Sequence, residues 1–583
     1  TYPGSLPMTT SNTNHLIRGG QIIDGTGAPA RVADVRIREG VIAEIGEGLE
    51  LGADETEFDA AGCYVTPGFI ESHTHYDGAM WWQDNLDPLP GYGVTTMVLG
   101  NCGFGLAPLT DDEAIKDEVI KIFTFFEDLP EAPFRESLPW NWRKWSEYKS
   151  SLIENVKVPV DYAAFVSHIT LRLAVMGLEA WSRAATPDEI TEMAGLLEDA
   201  LAAGATGLAS NLFDHDEHDR PIPSLHAEDA EFRTLLEVVA RHPGTSFQVP
   251  IDSIMRMTSV DSIKRIARVA EGLDIRVQWA GIPNEAWQRD LGIQAPLVAL
   301  HEQFVEEGRD FWTGFMHAPI TTSVSIEHSL LFVQSGDVVW HEVVRAEGDD
   351  AKRALLSDSD WRARARKSWD EDCNETAPFR NPEPILLELS ENGTGPVGLT
   401  LGEFAEQSGL HCSDAMAEWF LRNGLESTIR MPDWEKDVEM TVRLLRDPNT
   451  VGNISDAGAH GQMFCGAGDN ILLLTEWVRE KALISLEEAI HAQTGKLARH
   501  FGFNDRGELA VGRRADVTVF DLDEIEHRAK YKVRDVPDGK GGSTWRWSRD
   551  AAPMRLTLVA GIPTFADGAS TGATPGTLVA PQR

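Results

Sequence analysis

Between Asn14 and Thr66 apolar and polar residues alternate in short runs punctuated by Gly and Asp: HLIRGGQIIDGTG, ADVRIREGVIAEIGEG and CYVTPGF. Alternation of period two between turn residues predicts small antiparallel hairpins. The same texture returns in RGELAVGRRADVTVFDLD (506–523) and MRLTLVAGIPTFADG (554–568). Two such segments so far apart predict one small β-sandwich domain formed from both chain termini, residues 8–66 and 502–583, with the middle of the chain inserted into it. That middle, residues 67–501, alternates apolar runs with helical stretches. The runs are GFIESHTH (68–75), TTMVLGNCG (95–103), DYAAFVSHIT (161–170), GATGLASN (204–211), SFQVPID (246–252), IRVQWAGI (275–282), FWTGFMHA (311–318) and VGNISDAGAH (451–460). Helices fall between several of them; TPDEITEMAGLLEDALAAG (186–204) repeats its apolar residues at helical spacing behind a Thr cap. Eight such units predict an α/β chain whose core is a (β/α)8 TIM barrel. Insertions fall at about 104–158 and 319–450, after the C-terminal ends of the second and seventh strands, on the face where barrel enzymes place their sites. The first insertion contains the aromatic stretch IFTFFEDLPEAPFRESLPWNWRKWSEY (122–148). It reads either as a lid or substrate wall, or as aromatics packed on one another outside the barrel.

Composition narrows the partners. With 583 residues, 42% of them hydrophobic, the chain can bury a large core. Its net charge of −40, from 52 Lys+Arg against 92 Asp+Glu, repels phosphate backbones and anionic bilayers, so neither nucleic acid nor membrane is an expected partner. No run approaches the roughly 20 apolar residues of a membrane span, and TYPGSLPMTTSNTNH lacks the apolar core of a signal peptide, which predicts a cytoplasmic protein. Met8 reads as the natural start, and residues 1–7 are left out of the fold. Cys63, Cys102, Cys373, Cys412 and Cys465 form no CxxC pair, which argues for reduced thiols. A homo-oligomer is left open.

The chemistry concentrates at strand ends. His73 and His75 lie two residues apart on the first strand, so both side chains leave on one side and can converge on an ion. Neutral imidazoles suit zinc and related divalent metals but need further donors. On spacing alone, a hydrogen-bonded pair of strand-end histidines is the alternative. Asp456 ends the last strand, which a barrel sets beside the first, so its carboxylate faces the pair across the mouth. There it can bind metal and carry a proton, or cap the Gly turn of AGAHG.

TPGFIESHTHYD, TTMVLGNCG, GATGLASN, NISDAGAH and RGELAVGRRADVTVFD, in that order along nearly the whole chain, resemble the amidohydrolase superfamily and, within it, the N-acyl-D-amino-acid deacylase (D-aminoacylase) family. The resemblance implies a metal-bearing barrel flanked by a sandwich of both termini. It implies that His73 and His75 are metal ligands, that Asp456 is a ligand and general base, and that Cys102 takes the place of the family's metal-binding cysteine in GNCG. The alternative for Cys102 is a small buried residue in a tight turn. One departure matters. The family carries histidines at the ends of strands five and six, the second in a Ser-His-x-Lys setting, whereas SFQVPID and VQWAGIP here contain neither histidine nor lysine. Strand four has no lysine for a carbamylated bridge. Either one ion remains, on His73, His75, Asp456 and Cys102 or water, or other donors complete a second site.

His168 in SHITLR, similar to the family's GH-x-x-LR, and His215 and His317, past the fourth and at the seventh strand, are candidates for ligand or substrate contact. Each is equally readable as a hydrogen-bonded packing residue. Arg172 is the favoured clamp for a substrate carboxylate, with Arg256 and Arg220 behind it, although barrel-loop arginines commonly pair with local carboxylates. The expected activity is hydrolysis of the C–N bond of an N-acyl-D-amino acid or related small amide, by water activated on one or two divalent ions, zinc first. Alternatives are a cyclic-amide, ester or C–C hydrolase of the same superfamily, and an inactive binding protein.

Overall fold

The eight apolar runs all become parallel strands. In the computed structural model, which describes residues 12–254, 256–327, 330–374 and 377–582, Phe69–Glu71 pairs with Val94–Leu99, and that strand with Asp161–Ala164. A second parallel sheet runs Val166–Ser167, Gly207–Ala209, Ser246–Pro250, Arg276–Ala280, Phe311–Gly314, Thr450–Val451. A third consists of Ile454–Ala457 beside His73–Thr74. The proposed start at Met8, with the first residues of the terminal segment, lies outside the described residues.

The closed barrel expected from the sequence is thus three parallel sheets, and side chains explain the seams. At Ser72 and Asn453 the ladder is interrupted because the Ser72 hydroxyl donates to Gly452 O (2.6 Å) and the Asn453 amide donates to Ile70 O (2.7 Å). Asn453 is there in the left-handed region, φ 53°. Strands one and eight remain neighbours through these bonds.

Both chain ends meet in one nine-stranded sheet, His15–Ile22 lying against Tyr64–Pro67, which pairs in turn with Val517–Phe520. The expected two-layer sandwich is one sheet among the described residues. Gly19 (φ 70°) marks a register shift between Ile17 and Gly20, so one half of the first strand serves Thr56–Asp59 and the other Tyr64–Pro67. Ile17, Val35, Ile37, Val517 and Leu558 fill its core.

The helix Pro187–Ala203 shows how local chemistry sets the βα units. Thr186 accepts from Glu189 N (3.3 Å), Glu189 accepts from Thr186 N (2.7 Å), and Gly204 ends the helix at φ 107°. The long insertion folds around a hydrophobic core of its own, with Phe332 stacked on Phe379 (4.7 Å) and on Trp340. Most tryptophans of the aromatic insertion pack inward, Trp142 stacking on Trp81 and donating to Leu106 O (2.7 Å). A hairpin that the sequence pattern did not flag, Lys530–Pro537 with Ser543–Arg549, braces the loop after strand eight: Gln462 donates to Trp545 O (2.8 Å) and Trp547 N to Gly461 O (2.8 Å). No described helix is long and apolar enough to cross a membrane.

Candidate metal centre and active site

At the C-terminal ends of the strands four donor groups crowd together. His75 Nε2 lies 3.3 Å from His73 Nε2 and 3.2 Å from Asp456 Oδ1. His73 Nε2 lies 3.5 Å from Asp456 Oδ1 and 3.2 Å from Cys102 Sγ. Each position has a local cause. The histidines alternate with Thr74, whose hydroxyl is turned the other way to donate to Val98 O (2.8 Å). Cys102 stands in the left-handed region (φ 55°), its N–H held by Gln248 Oε1 (3.1 Å) and its carbonyl by the Asn211 amide (2.9 Å). Gly458 (φ 85°) lets the strand-eight turn pass His75, because a Cβ there would come within 2.9 Å of the His75 carbonyl carbon.

Burial and mutual contact shift these groups. Burial pushes His73 down to about 4 and the Cys102 thiol up to about 12. Burial also works against a charged His75 and a charged Asp456, but the facing carboxylates of Glu127 and Asp456 raise the imidazole well above its ordinary value. The imidazoles in turn hold Asp456 well below the usual carboxylate range. The Asp456 carboxylate keeps a quarter of its surface exposed, so it faces the cavity.

The donor set fits a divalent ion. Ligand atoms about 2.0–2.3 Å from a tetrahedral zinc lie roughly 3.3–3.8 Å from one another; His73 Nε2 stands 3.2–3.5 Å from the other three donor atoms, and His75 Nε2 is 3.2 Å from Asp456 Oδ1. Asp456 Oδ1, although surrounded by donors, makes no hydrogen bond of good geometry. His73, His75 and Cys102 form a metal-compatible group among the described residues.

Three further residues line the same cavity and were not foreseen. Glu127, from the aromatic insertion, sets Oε1 3.4 Å from His75 Nδ1, the ring nitrogen turned away from the cluster. Asp214 accepts from the Asn211 amide (2.8 Å), and His460 lies 3.6 Å from Asp128 Oδ2. His460 closes the quoted AGAHG string, and Asp214 adjoins His215, so both were within view; Glu127, at a helix end in an apolar run, had no motif to announce it.

The four expected substrate contacts are placed elsewhere: His168, Arg172, His215 and His317 are all absent from the cavity lining. His168 opens a helix, with Nδ1 2.8 Å from Ser210 Oγ and Nε2 2.8 Å from Glu231. Arg172 is fully buried against the same Glu231 and donates to Arg183 O (2.7 Å), which takes it out of reach as a carboxylate clamp. The physical reason is that a guanidinium buried at this depth needs a carboxylate partner, and Glu231 supplies it. His317 is held 3.2 Å from Asp469 O, and His215 sits on its own loop beside Phe213 O (3.4 Å). Where the family's missing histidines would stand, Pro250, Ile251 and Ala280 form an apolar wall.

The chain is 26% identical to D-aminoacylase of Alcaligenes xylosoxydans xylosoxydans over 568 residues, covering 97% of each. It is 27% identical to an uncharacterised protein of Mycobacterium tuberculosis, over 95% of this chain and 92% of that one. A solved D-aminoacylase with a binuclear metal centre superposes with a TM-score of 0.62 at 25% identity, covering 97% of this chain and 99% of that one. The amidohydrolase family model matches residues 56–307 and 429–565, two blocks that contain every donor of the cluster. With more than half its length inside that model, the chain belongs to the amidohydrolase family and is a hydrolase of amide C–N bonds.

Proposed function

We propose that this amidohydrolase cleaves a small acyl amide at a divalent metal site, zinc first, made by His73, His75, Asp456 and Cys102. The observation that carries it is the convergence of His75, Asp456 and the Cys102 thiol on His73 Nε2, each 3.2–3.5 Å away at the strand ends. Bound there, a divalent ion supplies acidification of water and polarisation of the scissile carbonyl. Asp456 takes the proton of the attacking water at its carboxylate and delivers it to the departing nitrogen, a relay its exposed edge makes possible. Glu127 sets its carboxylate 3.4 Å from the far nitrogen of His75, where it favours the charged ring, and the Gln248 and Asn211 contacts fix the Cys102 turn before substrate arrives.

We further infer that the three parallel sheets act as one (β/α)8 barrel over residues 67–501, because the strands that change sheet are continuous in the chain, and that the terminal sheet serves as its sandwich-like companion. N-acyl-D-amino acids are the substrate class that the D-aminoacylase likeness suggests. The test is amine release from chiral N-acyl amino acids, simple amides, lactams and esters by protein stripped of metal and reloaded with zinc. Release that follows metal content and is lost in Asp456→Asn supports the proposal. Cleavage independent of metal contradicts it, and cleavage of lactams or esters alone moves the activity to the other members of the superfamily.

A further inference from the structure

The cavity in front of the four donors, about 290 Å³, has no lysine or arginine among its described lining residues. Its acidic members besides Asp456 are Glu127, Asp214 and Glu285, and its candidate cations are the imidazoles of His460 and of the donor His75. His460 is already set against Asp128 (3.6 Å), with Glu127 and Asp456 also acting on it. Cations outside the lining are paired with carboxylates: Lys436 with the lining Glu285 (2.6 Å), Arg220 with Asp216 (2.8 Å), Arg256 with Asp219, and Arg172 with Glu231. Two of the lining amides are committed, while the lining Ser253 hydroxyl has no hydrogen-bond partner. Asn284 donates to Met316 O and Thr441 Oγ1 (both 2.8 Å), and Gln288 donates to Ser253 O (3.0 Å). Phe104, Phe126, Ile251, Ile282, Phe315 and Trp434 make up much of the remaining wall.

We propose that the substrate of this site carries no free carboxylate: it is an acyl amide of an uncharged, apolar amine, rather than an N-acyl amino acid. The proposal rests on the amide-hydrolase reading and narrows it. A carboxylate brought into an apolar cavity gives up its hydration, and only a fixed countercharge or several free donors repay that. Enzymes that hold a substrate carboxylate supply a bidentate arginine or a lysine. Here the described wall offers neither, and its own acids oppose a second anion. An aryl or alkyl amine half meets aromatic and aliphatic surface. The reaction balances as amide plus water giving acid plus amine, and the released amine gains a proton facing Glu127 and Asp214, which favours its departure as a cation.

The test uses zinc-loaded protein and three matched compounds: N-acetyl-D-phenylalanine, its carboxamide, and N-acetyl-2-phenylethylamine, which lacks the carboxyl group altogether. Both kcat/KM and calorimetric Kd are measured. The two uncharged compounds are expected to exceed the acid by at least about 100-fold in kcat/KM and to bind correspondingly tighter. Acid equal to or better than the uncharged pair overturns the proposal, and so does failure of all three to bind. Selective binding of the uncharged compounds without turnover keeps this inference and defeats the hydrolase reading, which separates the two. Ile254→Lys places a cation at the partly exposed rim of the cavity (Ile254 is 37% exposed). It is expected to raise the ratio of acid to carboxamide kcat/KM about 10-fold; an unchanged ratio counts against the proposal.

Discussion

The two ends of the parallel strands treat charge in opposite ways. At the N-terminal end, Asp161, which opens the third strand, accepts from Arg506 (2.7 Å), from Arg514 (2.8 Å) and from Thr577 N (2.7 Å), while Arg506 also reaches Thr96 Oγ1 (3.1 Å). These groups come from the strands and from the terminal segments, and they lock the two together. At the C-terminal end, His73 Nε2 stands 3.2–3.5 Å from the donor atoms of His75, Cys102 and Asp456, the described cavity lining holds no lysine or arginine, and Asp456 Oδ1 is left without a good hydrogen bond. Matched charges fix the fold at one end; the donors at the other are those we propose to hold an ion. The same scaffold thus separates stability from chemistry by about the length of one strand.

The contrast is broken most severely by Asp456→Asn. It keeps the size of the side chain and removes the base, so turnover of the best amide is expected to fall roughly 10⁴-fold with the unfolding midpoint in urea little changed. A variant that is inactive because it unfolds would contradict the assignment. Arg506→Met does the reverse. Removing one partner from the buried group of Asp161 and Asp516 is expected to cost about 3–5 kcal/mol in urea unfolding while kcat per folded molecule holds. Glu127→Gln removes the carboxylate from behind His75 and is expected to weaken zinc binding about 10- to 100-fold in a competitive chelator titration, with stability nearly unchanged.

A further effect is in pH. Lys496, in the helix Gly495–Phe501, is buried against the start of the eighth strand, its ammonium donating to Leu445 O (3.0 Å), Asp447 O (2.9 Å) and Thr450 Oγ1 (2.8 Å). Burial pushes its pKa down to about 7 from the ordinary lysine value. Between that value and the unfolded one the unfolded chain binds more protons, so this residue adds stability as pH rises through the window, by at most about 1.4 kcal/mol per pH unit. Lys496→Met is expected to flatten the rise of unfolding free energy between pH 7 and 10; an unchanged slope would show that the ammonium stays charged in the folded chain.

Much of this architecture was legible in sequence because each strand is a short apolar run bounded by turn residues, and because Thr186 with Glu189 writes a helix start in plain chemistry. The His73 and His75 pair was legible for the same reason: period two on a strand is a geometric statement. What escaped was long-range. The ladder breaks at Ser72 and Asn453 depend on side chains 381 residues apart, and the hairpin at 530–549 gains its place by holding a distant loop. Arg172 illustrates the limit: its loop position suggested a clamp, and only the fold could reveal that Glu231 had claimed it. Glu127 escaped for the opposite reason, since a single carboxylate after an aromatic helix has no spacing to read.

The central claim is that two imidazoles, a carboxylate and the Cys102 thiolate hold one zinc at the strand ends, and zinc-edge X-ray absorption of the loaded protein tests it most directly. The account predicts one sulfur scatterer at about 2.3 Å with nitrogen or oxygen neighbours at about 2.0–2.2 Å, and loss of the sulfur shell in Cys102→Ser. A zinc shell of nitrogen and oxygen alone in the unmodified protein, or an unaltered sulfur shell in the variant, would contradict it.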